Sequence, residues 1–259
     1  MATYNNILVE QQGKTVVITI NREDKLNALN SQTLRELSYL LDDLSQDEAV
    51  RGVVLTGKGE KAFVAGADIK EFMDLNASEA SELSRSGHEN VMDKIAHFPM
   101  PVIAAINGFA LGGGLEVALA CHMRVAVETA KVGLPEVSLG IIPGYGGTQR
   151  LTQLVGKGKA LEMILTGDMI EASEAYQWGL VNHLVGSQTE LLAKAIAILE
   201  RTYTRSSTAI AAAIQAVNAG LVDAEAGFEK EIELFGKSFG SADMKEGVAA
   251  FLEKRKPNF

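Results

Sequence analysis

Asn107-Gly108-Phe109-Ala110-Leu111-Gly112-Gly113-Gly114-Leu115-Glu116 follows the apolar run Pro101–Ile106 and leads into Val117-Ala118-Leu119-Ala120-Cys121. A strand, a glycine triplet and an apolar helix in immediate succession describe one step of an α/β fold. Glycines that open a helix leave its first N–H groups free and place the positive end of the helix dipole beside them. Taken alone, such a turn serves a phosphate, an oxyanion or nothing beyond a tight bend. A dinucleotide site fits poorly, because the spacing is not G-x-G-x-x-G and the acid after Val125-Ala126-Val127, Glu128, comes too early. A P-loop fails for want of a Gly-Lys-Ser/Thr ending.

Outward from this turn, β-branched or alternating runs predict strands at Ile7–Glu10, Thr15–Ile20, Val53–Thr56, Pro101–Ile106 and Arg124–Val127. Leu34, Leu37, Leu40, Leu41 and Leu44 recur at helical spacing behind a cap at Asn30 or Ser31. After Gly147 the pattern changes. Amphipathic segments at Gly158–Leu165, Ala172–Trp178, Thr189–Tyr203, Thr208–Ala219, Asp223–Phe239 and Ala242–Lys254 carry almost no strand signal. The expectation is an α/β core over residues 1–189 and a helical region over 190–259, with no Pro- or Ser-rich linker between them.

Composition narrows the class of function. The 259 residues are 47% hydrophobic and 22% charged, as in an ordinary globular protein. A net charge of −9 argues against a nucleic-acid partner, which needs a basic face to displace counterions. The one dense basic cluster, Lys254-Arg255-Lys256, reads as a solvated last helical turn. Pro101–Ala120 is the longest weakly polar stretch, and Asn107, the glycines and Glu116 interrupt it, so no membrane span is expected. Met1-Ala2-Thr3-Tyr4-Asn5-Asn6 has neither the basic nor the apolar region of a signal peptide. Cys121 is the only cysteine, which excludes an intrachain disulfide and fits a cytoplasmic location. His88, His97 and His183 lack the spacing of a metal site.

Two further features carry chemistry. Phe63-Val64-Ala65-Gly66-Ala67-Asp68-Ile69-Lys70 is a small-residue turn that lets a ligand approach backbone N–H groups. Glu116, in the first turn of the apolar helix, and Glu136, in Gly133-Leu134-Pro135-Glu136-Val137-Ser138-Leu139-Gly140, both sit among apolar residues. A helix N-terminus stabilises a carboxylate, which by itself accounts for Glu116. A carboxylate in apolar surroundings is nevertheless costly, and such places often tune acid–base groups.

Together with Asn27-Ala28-Leu29-Asn30, Pro143-Gly144-Tyr145-Gly146-Gly147-Thr148-Gln149-Arg150-Leu151 and Phe251-Leu252-Glu253-Lys254-Arg255-Lys256, these segments resemble the crotonase (enoyl-CoA hydratase/isomerase) superfamily, most of all its short-chain enoyl-CoA hydratases. The likeness spans the chain in order. It implies an α/β spiral of ββα units with a C-terminal helical trimerisation region, assembled as a homohexamer of two trimers. It implies an oxyanion site at the N–H groups of Ala67 and Gly113, and a water held by Glu116 and Glu136 with the N–H of Gly144 as a third contact. Coenzyme A would lie along Leu26, Ala28, Ala65, Ala67, Asp68, Ile69 and Lys70, with Phe251 and Lys254 reaching it from the C-terminal helix across a subunit boundary. No separate cofactor is implied, because the coenzyme A thioester is the substrate. Two departures stand out: the family often has cysteine at Leu115 and aspartate at His122, and neither position carries a proposed proton transfer.

The activity so implied is reversible syn addition of water to a 2-trans-enoyl-CoA, giving a 3-hydroxyacyl-CoA in fatty-acid metabolism such as β-oxidation. The alternatives are a double-bond isomerase of the same superfamily and a non-catalytic coenzyme A- or RNA-binding relative. The retained pair of glutamates favours the hydratase, and the acidic charge disfavours RNA.

Overall fold

The computed structural model describes residues 4–259; Met1–Thr3, half of the stretch read for a leader, lie outside the described residues. The chain opens with an antiparallel hairpin of β1 (Ile7–Gln12) and β2 (Thr15–Ile20), followed by α1 (Ser31–Ser45). Asn30 caps α1, its side-chain oxygen accepting from the Thr33 N–H at 2.9 Å. The leucine stripe turns inward, burying Leu37, Leu40, Leu41 and Leu44.

Three ββα steps then succeed one another. The first comprises β3 (Gly52–Gly57), β4 (Ala62–Ala65) and α2 (Ala77–Gly87), which runs through a π-helical turn (His88–Met92) into α3 (Asp93–Ala96). The second is β5 (Val102–Ile106), β6 (Phe109–Leu111) and α4 (Gly113–Ala120); the third is β7 (Met123–Val127), β8 (Lys131–Gly133) and α5 (Gly147–Thr166). The first strand of each step enters one sheet and the second strand enters another. The larger sheet has the order β1-β2-β3-β5-β7-β10, closed by β10 (His183–Val185), and the smaller is β4-β6-β8-β9, closed by β9 (Ile170–Glu171). This is the expected spiral of ββα units.

In the larger sheet β2, β3, β5, β7 and β10 run parallel, and β3 and β5 are buried along their whole length, as a sheet covered on both faces requires. Between β9 and β10 the chain forms α6 (Ala172–Gln177), and after β10 comes α7 (Gln188–Thr202). Leu191, Ala195 and Leu199 of α7 are buried, and Leu199 and Tyr203 fill the space that a side chain on Gly52 would need. Thus α7, which straddles the boundary expected at residue 190, packs with the sheets. The separate helical stack is α8 (Ser207–Val222), α9 (Ala224–Phe239) and α10 (Ala242–Leu252). Gly220 and Gly227 let α8 and α9 approach closely, and Asn218 ties α8 to the body by donating to the Ala96 carbonyl at 2.6 Å.

The five strands expected from sequence are present, while β4, β6, β8, β9 and β10 carry too few residues to show an alternating pattern. Helix α2 is polar and exposed, so it offers no apolar stripe; a capping box between Asn76 and Glu79 starts it. Helix α5 begins earlier than expected, because Gly156 (φ 77°) breaks it into two pieces that continue each other.

Every residue of α4 is buried. Its far end is closed by Arg124, whose Nη1 donates to the carbonyls of Ala118 and Cys121 and whose Nε donates to that of Leu180. Its near end lies against β4, where a methyl group on Gly114 would overlap the Val64 carbonyl. Gly114→Ala is therefore expected to force β4 and α4 apart and lower the unfolding free energy by about 2–3 kcal/mol. Urea denaturation measures this, and a loss below about 0.5 kcal/mol would mean the contact relaxes freely.

Candidate active site

The smaller sheet aligns the chemistry. Ala65 pairs with Leu111, and Leu111 with Gly133, so the C-terminal ends of β4, β6 and β8 lie side by side. From that row the chain of each strand turns into one feature singled out in sequence. Ala67 follows β4, Gly113 follows β6 and starts α4, and Glu136 follows β8 in a 3-10 turn over Pro135–Leu139.

The two backbone turns meet. A methyl group on Gly113 would stand 3.9 Å from the Ala67 nitrogen, and one on Gly112 would stand 3.7 Å from the Gly66 Cα. Leu29 flanks Ala67 in an isolated parallel bridge, taking the Gly66 carbonyl with its N–H and giving its carbonyl to the Asp68 N–H. That bridge leaves the Ala67 N–H unused, and no acceptor among the described residues takes the N–H of Ala67 or Gly113. Gly112 adopts φ 51°, a left-handed value open to glycine, which turns the chain from β6 into α4 while its N–H donates to Gly133.

The two glutamates bracket this turn. Glu116 is only 2% exposed, and its Oε1 accepts from the N–H groups of Tyr145 and Gly147, both at 2.7 Å. Burial raises its pKa from 4.5 to about 7; the two amides oppose that rise and the neighbouring charge of Glu136 adds to it. The carboxyl of Glu136 lies over Gly112, with Oε1 at 3.0 Å from where a methyl group there would stand. Its Oε2 is the one buried side-chain polar atom among the described residues without a hydrogen-bond partner. Burial again raises the pKa, against a smaller opposing contribution from its own backbone N–H. The site thus holds two free amides, one clamped carboxyl and one carboxyl oxygen lacking a partner.

The enoyl-CoA hydratase/isomerase family pattern matches residues 10–259. The chain belongs to this family. It is 45% identical over 253 residues to the short-chain-enoyl-CoA hydratase of Clostridium acetobutylicum, covering 97% of this chain and 96% of that protein. It is also 45% identical over 257 residues to the crotonyl-CoA hydratase of Syntrophomonas wolfei, covering 99% of this chain and 98% of that one. The crystal structure of an enoyl-CoA hydratase from Bacillus anthracis superposes with a TM-score of 0.90 at 42% identity, covering 98% of this chain and 99% of the other.

The residues that the family likeness assigns to coenzyme A divide into two groups. Leu26, Ala28, Ala65, Ala67, Asp68, Ile69 and Lys70 lie on two segments joined by the Leu29–Ala67 bridge. Leu26 (φ 50°) and Asn27 (φ 58°) turn left-handed, and the Leu26 carbonyl accepts from the Ala65 N–H. The strain is held by Asn27, which is wholly buried and donates to the carbonyls of Lys58 and Ala62. Arg22 pairs with Asp68 at 2.9 Å and holds that carboxyl below its usual range. Ile69 and Lys70 are exposed. Phe251 and Lys254 form the second group and belong to the C-terminal stack; α10 packs on α9, and Phe251 is 83% exposed.

Gly144 is exposed, with its carbonyl accepting from the Ser84 hydroxyl. The amides that hold Glu116 belong to its neighbours, Tyr145 and Gly147, and sequence reading missed them. The signal was present as a glycine-rich turn at a helix start, but nothing local says where its N–H groups point. His122 is structural, its Nδ1 accepting from the Val102 N–H and its Nε2 facing the Ala96 carbonyl. No group of three or more His, Cys, Asp or Glu side chains among the described residues could hold a metal ion.

A carboxyl whose folded pKa lies above its unfolded value keeps a proton that the unfolded chain has released. The stability this lends is complete below about pH 4.5 and disappears as the pH rises through about 7. Glu116→Gln carries no such dependence. The variant is expected to gain on the natural protein by up to about 3 kcal/mol between pH 5 and pH 8. Urea denaturation at both pH values tests this, and a constant difference would contradict the raised pKa.

Proposed function

We propose that this chain is an enoyl-CoA hydratase, adding water reversibly in the syn sense to 2-trans-enoyl-CoA to give 3-hydroxyacyl-CoA. The observation that carries the reading is the meeting of two unpaired amides, Ala67 and Gly113, with the buried carboxyl of Glu116 and the half-buried carboxyl of Glu136 at a single turn. The names of the two relatives point to short-chain thioesters such as crotonyl-CoA; in this reading the coenzyme A thioester is itself the substrate and no separate cofactor takes part. The buried, unpaired Cys121 fits a cytoplasmic enzyme of fatty-acid metabolism.

Neutral water attacks an unsaturated thioester slowly, because the electrons displaced from the double bond need somewhere to go. With the thioester oxygen between the N–H groups of Ala67 and Gly113, those electrons form an enolate that both amides stabilise. One donor of this kind contributes about 3–4 kcal/mol, which makes the pair the largest single effect. Glu116 removes a proton from water as its oxygen bonds to C3, and Glu136 supplies a proton to C2. The amides of Tyr145 and Gly147 favour ionised Glu116, whereas Glu136 has an oxygen with no donor, so the environments suit a base and an acid respectively. The proton gained by Glu116 then returns to Glu136 and closes the cycle. General acid–base help of this kind adds about 10²–10⁴-fold.

Glu116→Gln and Glu136→Gln are each expected to lower kcat for crotonyl-CoA hydration by at least about 10³-fold, with KM changed little. Loss of the enoyl-thioester absorbance measures this, and near-normal turnover by either variant would remove that residue from the reaction. An isomerase would convert a 3-enoyl thioester to its 2-enoyl form and leave no 3-hydroxyacyl product.

The same reading includes assembly with further copies of this chain. Helices α8 and α9 expose Val217, Val222, Phe228, Ile232 and Phe235, each at least 64% accessible, and Val217, Phe228 and Phe235 line an apolar groove of 480 Å³. So large a bare apolar surface is typical of an interface. A hexamer of two trimers would cover it and would bring Phe251 and Lys254 to a neighbour's coenzyme A. Light scattering is expected to give six times the 27.7 kDa protomer, and Phe235→Asp is expected to give smaller species. A monomeric natural protein would remove the assembly.

A further inference from the structure

Arg150 joins the turn that clamps Glu116 to the carboxylate of Asp93 on α3. From the first turn of α5, its Nη1 donates to the Tyr145 carbonyl at 3.1 Å and its Nη2 to Asp93 Oδ1 of α3 at 2.8 Å. Between the two clamping amides lies Gly146, at φ 99°. A methyl group there would overlap Arg150 Nη1 and come within 3.1 Å of His88 Cε1. The guanidinium therefore covers the middle residue of the turn and holds the carbonyl of the residue before it. With Tyr145 and Gly146 fixed in this way, the N–H groups of Tyr145 and Gly147 have little freedom to leave Glu116 Oε1. At 17% side-chain exposure, the Arg150 charge is only weakly screened by water.

We infer that Arg150 is a positioning residue for the hydration, holding the 145–147 turn and placing a positive charge behind Glu116, while Asp93 sets where the guanidinium stands. The inference rests on the hydratase reading and deepens it. The groups facing Glu116 are few. Glu136 raises its pKa and Arg150 lowers it. The Tyr145 phenol is held well above its usual range, chiefly by burial and further by Glu116 and Glu71. Asp93 is tied to this turn through Arg150, and His88 lies against Gly146.

The acid limb of kcat/KM reports the ionisation of the base in the free enzyme. Arg150→Met removes a positive charge near Glu116, so the limb should move to higher pH by about half a unit to one unit. With the turn loosened, kcat should fall at least about tenfold while KM stays within about twofold. Arg150→Lys keeps the charge but cannot span both acceptors, so its limb should stay within about 0.3 unit of the natural one while kcat remains low. Asp93→Asn leaves the guanidinium without its counter-charge and should move the limb the opposite way, down by a few tenths of a unit.

A folded Arg150→Met whose limb does not move overturns the inference, even if kcat falls, because a purely structural role predicts that result. An Asp93→Asn limb that rises or stays still overturns it as well. Circular dichroism and Tm establish folding; if the Met variant does not fold, the Lys and Asn variants decide. Absence of hydration by the natural protein would count against the hydratase reading instead. In that event the ¹³C shift of the Glu116 carboxyl, assigned by its loss in Glu116→Gln, reads the same titration without turnover.

Discussion

The row Ala65–Leu111–Gly133, running across three short parallel strands, is the constraint on which the rest of the site depends. Parallel strands place equivalent positions side by side at about 4.8 Å. Whatever follows each strand end therefore emerges into one small region. Ala67 and Gly113 stand at the same offset beyond their strands, and Glu136 stands one residue further beyond its own. A slip of one residue in any of the pairings would turn these groups toward the opposite face.

Glycine appears where backbone must meet backbone. Gly112 leaves room for the Glu136 carboxyl and Gly114 for the Val64 carbonyl, whereas a methyl group on Gly113 would make only ordinary contacts. The helix that the triplet opens is buried along its whole length, so it cannot shift without disturbing the core around it. That rigidity matters at an oxyanion site, where donors act only if they are already aimed when charge develops.

A buried and a half-buried carboxyl so close together cost stability, and the fold compensates only one of them. Glu116 has two amides on a single oxygen, in a turn braced by Arg150; Glu136 has a buried oxygen with no partner. Natural interiors rarely leave a polar atom so placed, and the exceptions gather where function needs them. The asymmetry separates two side chains of identical chemistry into different protonation roles. Arg124 illustrates the opposite solution: a wholly buried cation satisfied by backbone carbonyls at the far end of the same helix.

Sequence by itself determined the elements whose signal is local. The five longer strands, the leucine stripe of α1 and its Asn30 cap, the glycine triplet opening α4 and both glutamates could be read from neighbouring residues, because periodicity, capping and turn chemistry act over a few positions. The meeting of Ala67 with Gly113, the clamp on Glu116 by Tyr145 and Gly147, and the bridge from Arg150 to Asp93 were decided only in three dimensions. They depend on strands of three or four residues whose pairing partners lie tens of positions away, and so short a strand carries no pattern of its own. For the same reason α7 joined the core: its inward stripe says that it packs, but only the sheet beneath Leu199 says where.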